Sequence, residues 1–325
     1  MSAARPLRLG VVGARRVRAG TGPWLARHAT KLGAEVVGIL GTTSATVEEA
    51  AADLAMDGIQ VHPCLSLDEL ITEVAPDALI VASPAGTHQA WLQQALEADL
   101  HVFCEKPLLA GLDISGQPLL SVSEETSLAQ NLAREFSSQG LILRESCQWP
   151  ETLAVWPSLY PDFDWQATTS FRMRLAPWGE GLRPWIEMLS HPLSLLQAIR
   201  PGPVTLESIR SETNAVQFRF ATSAEAVQCR LEIAPDTTFP RPADYWLNDR
   251  LCQRRIREVD YGFLFVNDAG EEVPLEDPMV LVVERFLHAA QSARETGSAQ
   301  VDENLVRRQF LVAELLHALQ TPVVS

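Results

Sequence analysis

Short apolar runs alternate with longer amphipathic stretches through the first half of the chain. Leu7 to Val12, Glu35 to Leu40, Val61 to Cys64, Asp77 to Ala82 and His101 to Cys104 are mostly apolar, with polar or turn residues at their ends. Runs of this length suit strands buried on both faces of a parallel sheet. Between them, Trp24 to Leu32, Val47 to Leu54, Ser66 to Thr72 and the segment after Thr87 predict helices. In the last of these, Ala90, Leu92, Ala95 and Leu96 give one apolar side. Thr87 is its expected N-cap, and Ser44 or Thr46 is the expected cap of the helix that carries Glu48 and Glu49. A βαβαβ alternation of this kind predicts a doubly wound sheet. A long loop over Ala110 to Ser123, a helix through Phe136 with carboxylates in its first turn, and a strand over Leu141 to Arg144 complete the region.

The pattern then changes. Thr168 to Leu175 reads as a strand and Pro184 to Ile199 as a helix. Strand-like runs follow over Thr205 to Glu212, Ala215 to Thr222, Ala226 to Ala234, Arg250 to Glu258 and Gly262 to Asn267, separated by turn residues such as Asn267-Asp268-Ala269-Gly270. These predict a large, mainly antiparallel open sheet. Val280 to Ala293 and Val301 to Leu319 predict flanking helices, the first with Phe286, Ala290 and Ala293 on a buried stripe. The expectation is two domains: an α/β domain over 1–146 and an α+β domain over 147–325.

Composition narrows the class. A chain of 325 residues, 46% hydrophobic and 21% charged, has enough apolar surface for two buried cores. Its net charge of −15 argues against nucleic acid or an anionic membrane as partner, so any anionic ligand must meet a local cationic patch. Cys64, Cys104, Cys147, Cys229 and Cys252 show neither C-x-x-C nor metal-ligand spacing, and read as buried thiols of a reducing compartment. The start MSAARPLRLG has no apolar signal core and no run reaches membrane-spanning length, which gives the expectation of a cytoplasmic protein.

The candidate chemistry sits at strand ends. Lys106 follows the strand His101 to Cys104 directly, between Glu105 and a stiffening Pro107, where open α/β sheets bind ligands. Ser83, Pro84 and His88 follow the preceding strand. After the first strand, Gly13 and Ala14 lead into Arg15, Arg16 and Arg18. Three readings stay open here. The loop is long and its helix starts at Thr21-Gly22-Pro23, or the arginines grip phosphate in a bidentate manner, or cofactor binding has been lost. The second strand ends in Gly41-Thr42-Thr43-Ser44 without the carboxylate that holds ribose hydroxyls in NAD-specific folds. Thr42 and Thr43, with Arg15 or Arg16 in reach, suit a 2′-phosphate and favour NADP over NAD. Glu187 and His191 stand four apart in the helix expected over Pro184 to Ile199 and share a face, unless Pro192 kinks it. Five of the eight tryptophans lie between Trp149 and Trp185, either as flat walls for a ring-shaped substrate or as packing.

The stretch S-P-x-x-x-H (83–88), an alanine-rich helix and H-V-x-x-E-K-P (101–107) resembles the glucose-fructose oxidoreductase/inositol dehydrogenase (Gfo/Idh/MocA) family, strongly from Leu7 to Leu109 and loosely beyond. The resemblance implies a Rossmann domain followed by an open-sheet domain. It also implies an NADP-dependent dehydrogenase or reductase acting on a small-molecule, sugar- or cyclitol-like carbonyl or alcohol, or on an imine. Lys106 would assist proton transfer, beside His191 and Glu187 at the positions of the family's D-x-G-x-H motif, where Glu187 replaces the aspartate and Leu189 the glycine. Two departures, the arginines in place of the second and third fingerprint glycines and the altered second motif, favour an alternative: a non-catalytic dinucleotide- or metabolite-binding sensor or assembly subunit. The family also implies homodimers or homotetramers paired through the C-terminal sheet.

Overall fold

The computed structural model describes residues 5–14, 21–111, 120–164, 167–177, 179, 181–223, 225–234, 241–257 and 262–320. In chain order the elements are β1 (Arg8–Val12), α1 (Gly22–Lys31), β2 (Glu35–Leu40), α2 (Ser44–Ala55), β3 (His62–Cys64), α3 (Leu67–Val74), β4 (Ala78–Val81), α4 (His88–Glu97), β5 (His101–Cys104), α5 (Val122–Ser138) and β6 (Leu143–Glu145). They continue with α6 (Trp156–Leu159), β7 (Ser170–Leu175), α7 (Arg183–Met188), α8 (Ser190–Ile199), β8 (Thr205–Glu212), β9 (Ala215–Ala221) and β10 (Ala226–Ile233). The last are β11 (Ala243–Leu247), β12 (Arg250–Ile256), β13 (Phe263–Val266), β14 (Glu272–Leu275), α9 (Pro278–Thr296) and α10 (Glu303–Gln320).

Two compact units result. The first holds Met1–Ala110, Ser127–Ser146 and Met279–Leu305; the second holds Gly111–Thr126, Cys147–Pro278 and Val306–Ser325. Each unit is thus assembled from separate stretches of the chain, with 111–126 in the second and 279–305 in the first.

The first unit is a six-stranded parallel sheet in the order β3-β2-β1-β4-β5-β6, with every pair parallel. This is the doubly wound Rossmann arrangement, reversing direction between β1 and β4. Apolar residues of the strands, among them Leu9, Val11, Ile39, Ile80 and Phe103, pack with Leu25 and Ala29 of α1, Val47 and Leu54 of α2, and Val283, Phe286 and Ala290 of α9 in one core. Phe103 and Phe286 meet with ring centroids 5.3 Å apart; truncating either buried ring to alanine costs about 3–5 kcal/mol.

The second unit is an eight-stranded sheet in the order β14-β13-β12-β11-β7-β10-β9-β8. It is antiparallel throughout except where β10 runs parallel to β7. Sequence patterning missed β11 and β14. In β11, Ala243, Asp244 and Tyr245 are all buried, so the polar–apolar alternation that marks a half-exposed strand is blurred. β14 is a four-residue edge strand containing Pro274, which an edge tolerates because its N–H is not needed.

The helix expected over Pro184 to Ile199 is two helices meeting at Leu189. Pro192 has no N–H to donate to the carbonyl of Met188, and the ladder breaks there. Leu189 itself keeps helical angles (φ −61°, ψ −33°). Thr87 is not a side-chain cap: a 3-10 turn over Ala85–Thr87 precedes α4, and the hydroxyl instead bonds Ser83 Oγ at 2.6 Å and the Pro84 carbonyl at 2.8 Å. The cap of α2 is Thr43, one residue before Ser44. Its extended backbone lets its oxygen accept from Thr46 N, while Thr46 Oγ1 accepts from Thr43 N. No described helix is long and apolar enough to cross a membrane. All five cysteines are buried free thiols, and the described residues contain no cluster of three or more metal-ligating side chains.

Candidate active site

In the first unit the chain leaves β1, β4 and β5 at one edge of the sheet. Gly13 turns away from β1 with φ +82°, its N–H donating to the Leu40 carbonyl at 3.1 Å. A Cβ there would lie 2.7 Å from Ala82 O and 2.9 Å from Ser83 N, so only glycine fits between the two exits. The helix that follows starts at Gly22-Pro23. A Cβ on Gly22 would overlap the Gly13 carbonyl and stand 3.0 Å from Ala14 Cα. Gly22 therefore provides the close helix–strand approach that the third glycine of a dinucleotide fingerprint provides, nine residues after Gly13. The start of α1 at Gly22-Pro23 is the helix start that the long-loop reading expects. Arg15, Arg16 and Arg18 lie outside the described residues. Gly13, buried Ala14, the start of α1 and the Ser83-Pro84 turn form a glycine-lined cradle of the kind a pyrophosphate needs, so the described residues fit a dinucleotide. At the end of β2, Thr42 and Thr43 are exposed, and the Thr43 hydroxyl is occupied in capping α2.

Lys106 stands one residue beyond Glu105, whose N–H continues the ladder to Val81 O at 2.8 Å. Its amine lies 3.9 Å from Glu105 Oε2, and both side chains are largely shielded from water, at 18% and 12% exposure. The Lys106–Pro107 bond is cis. Lys106 and Lys31 are the only lysines in the chain; arginine supplies the other cations. Arginine cannot give up its proton in a protein, whereas lysine can. A lysine at the β5 exit can therefore exchange a proton where an arginine there could not.

Two buried side chains hold the turn after Lys106. His88, the first residue of α4, places Nδ1 2.9 Å from Pro107 O and Nε2 2.8 Å from Ser83 O. Glu145, at the end of β6, accepts from Leu108 N through Oε1 at 3.2 Å. Glu145 escaped the sequence reading. The signal was present: it is a carboxylate at the C-terminal end of the parallel strand beside β5. Burial, with Glu145 and then Glu105 adding to it, pushes the Cys104 thiol well above its ordinary value, so this cysteine is inert packing.

In the second unit, His191 is buried in the first turn of α8 and meets the Trp149 ring edge-on, with centroids 6.2 Å apart. Glu187 belongs to α7. Its Oε1 accepts from Arg183 Nε at 3.2 Å, and its side chain is 40% exposed. Burial lowers the Arg241 guanidinium, with the Glu187 charge opposing. Arg254 lies 5.7 Å over the Trp149 ring. Of the clustered tryptophans, Trp156 is core: its Nε1 donates to Tyr245 OH at 2.6 Å, and its ring packs on Tyr160 and Phe163. Trp149 and Trp185 are also buried, while Trp165 and Trp178 lie outside the described residues.

Residues 7–119 match the model of the oxidoreductase family with an NAD-binding Rossmann fold, Gfo/Idh/MocA. That span runs from β1 through Lys106. Over those residues the chain belongs to the Gfo/Idh/MocA family. A curated relative in keeping with this is inositol 2-dehydrogenase 1 of Paenarthrobacter aurescens, 31% identical over 153 residues, which cover 44% of this chain and 42% of the relative. The matched segment is thus less than half the length of that protein. Among solved structures, KijD10, a 3-ketoreductase from Actinomadura kijaniata in complex with NADP and TDP-benzene, superposes with a TM-score of 0.66 at 18% identity, over 95% of this chain and 96% of that one. UDP-N-acetylglucosamine 3-dehydrogenase GnnA from Acidithiobacillus ferrooxidans gives 0.63 at 16% identity, over 97% and 98%. At these identities the structures show the fold, in both its halves.

Proposed function

We propose that this Gfo/Idh/MocA chain is an NADP-dependent dehydrogenase or reductase acting on a sugar- or cyclitol-like carbonyl or alcohol, or on an imine. The observation that carries the reading is Lys106, one of two lysines, held at the β5 exit beside the Gly13–Ser83 cradle. NADP, when bound, supplies or accepts the hydride at its nicotinamide ring. Lys106 donates a proton to the substrate oxygen on reduction and takes it back on oxidation. His191 is the proposed second acid–base group and Glu187 a further substrate contact. Gly13 and Ala14, with Ser83 and Pro84, bind the pyrophosphate side; Arg15, Arg16, Thr42 and Thr43 meet the 2′-phosphate; Glu105 orients the Lys106 amine. The names of the related proteins support a sugar or sugar-nucleotide as the substrate class and NADP as the cofactor.

We assign homodimer or homotetramer formation to the open sheet of the second unit. Its outward side chains include the pairs Arg172–Glu232, Arg230–Glu212 and Arg219–Glu207. A self-facing surface built from such alternating charges complements itself.

Calorimetric titration with NADPH and, separately, NADH tests the reading. Tighter NADPH binding supports it, and NADH preference replaces the cofactor while leaving the enzyme. A second reading, the non-catalytic sensor, draws on the absence of a carboxylate at Gly41-Thr42-Thr43 and on the use of Thr43 as a helix cap. Binding of neither nucleotide selects it.

A further inference from the structure

We infer that His88 and Glu145 are positioning residues that fix Lys106 by clamping the turn behind it from two sides. The inference rests on the proposed proton-transfer role of Lys106, but its geometry stands independently. The segment Lys106-Pro107-Leu108 has left the sheet, so its backbone groups have no strand partners. A buried carbonyl or N–H without a partner is costly, and something must serve Pro107 O and Leu108 N. The two groups that do so come from different elements and from far along the chain. His88 reaches Pro107 O across 19 residues and Glu145 reaches Leu108 N across 37.

His88 does more than close one bond. Its other nitrogen meets Ser83 O at 2.8 Å, so one imidazole ties the exit of β4 to the exit of β5. A carbonyl only accepts. A neutral imidazole, with one N–H, donates to one of the two carbonyls, and an imidazolium donates to both. The ring is 1% exposed, with its two nitrogens directed at the protein's own backbone, and this makes it a strut between the two turns rather than a surface for ligand. Glu145 is likewise buried, and its register opposite Cys104 puts its carboxylate one strand over from the Lys106 turn. Ser146 N then donates to Cys104 O at 2.8 Å and keeps β6 aligned with β5 to its last residue. The Lys106 side chain extends from this held turn, and its amine lies 3.9 Å from Glu105 Oε2. Holding a proton donor within a fraction of an ångström needs this kind of support from residues that never touch substrate.

Because Lys31 is the sole other lysine and is exposed at the end of α1, amine chemistry reads Lys106 against an internal standard. Reductive methylation of the intact protein, followed by peptide mass spectrometry, gives the ratio of the Lys106 and Lys31 rates without any substrate. In Glu145→Leu and His88→Gln this ratio is expected to rise about fivefold, the extra opening of a turn that has lost one buried hydrogen bond of ordinary strength. Glu145→Gln keeps an acceptor oxygen of the same reach and is expected to restore the wild-type ratio. A merely structural role for the side chain gives no such rescue. Unchanged ratios in both disrupting variants overturn the inference, as does an equal rise in Glu145→Gln and Glu145→Leu. If His88→Gln does not fold, the Glu145 pair decides. Nicotinamide binding, titrated on the same samples, separates the outcomes: loss of the functional reading appears as absent NADPH binding in the wild type, whereas failure of the clamp appears only in the lysine ratio.

Discussion

Glu125 sits in the first turn of α5, where carboxylates are usually solvated, yet it is 3% exposed. Its Oε1 accepts from Gln309 Nε2 of α10, its carboxylate also takes the backbone N–H of Gly111, and a Cβ on Gly111 would occupy the space of Oε2. Burial outweighs these two bonds and pushes the carboxyl from 4.5 up to about 7. The sign follows from linkage. Between those values the folded protein holds a proton that the unfolded chain has released. The stabilisation is therefore full below pH 4.5 and is lost as pH rises through about 7. At about 1.4 kcal/mol per pH unit, the window from 4.5 to about 7 corresponds to about 3 kcal/mol. Glu125→Gln keeps a hydrogen-bonding amide but removes the titration. Urea unfolding followed by tryptophan fluorescence reports the second unit, which holds six of the eight tryptophans. The wild-type stability minus that of Glu125→Gln is expected to fall by about 3 kcal/mol between pH 4.5 and 7.5. Parallel pH curves for the two proteins refute the reasoning.

Four further outcomes are expected. Lys106→Arg keeps the charge but cannot release it, so turnover should be abolished while NADPH affinity, measured calorimetrically, stays near wild type; equal loss of both would mark Lys106 as a cofactor anchor. Arg15→Ala or Arg16→Ala should weaken NADPH more than NADH in the same titration, and equal weakening would move these arginines to the pyrophosphate. Gly22→Ala forces a methyl against the Gly13 and Ala14 backbone, which cannot yield, and should cost about 1–3 kcal/mol in urea unfolding. Burial raises the Asp77 carboxyl, but bonds from the Arg5 side chain and Arg8 N–H, together with the Arg294 charge, outweigh it and hold it below its ordinary value. Asp77→Asn should therefore destabilise at pH 7 by about 1–3 kcal/mol, with the difference shrinking as pH falls through the acid range; thermal melts at both ends check it.

The first sheet was legible because its four central strands, β1, β2, β4 and β5, are mostly apolar runs. Burial on both faces leaves a plain signature, and the exits of β4 and β5 follow from it. The Lys106 position was legible for the same reason. What escaped depended on partners far along the chain. Glu125 reads as an ordinary first-turn acid until Gln309 and Gly111 surround it. Glu145 reads as the residue just past a short strand until Leu108 N points at it. Thr87 has the right residue type for a cap, but Ser83 and Pro84 compete for its hydroxyl. Local propensity proposes such bonds and tertiary packing chooses among them.

The first unit closes its core with α9, whose Phe286 and Ala290 fill the space beside Phe103. Further ties come from the segment after it: Ser137 Oγ donates to Ala299 O at 2.8 Å, and Arg144 pairs with Asp302 at 3.4 Å. A ribosome therefore delivers the six parallel strands long before it delivers the helix that seals them. Through most of synthesis the nascent sheet waits with an apolar face uncovered, which is the kind of surface chaperones recognise. A gene fragment that stops after β6 would retain every strand of the nucleotide fold and still lack part of its core.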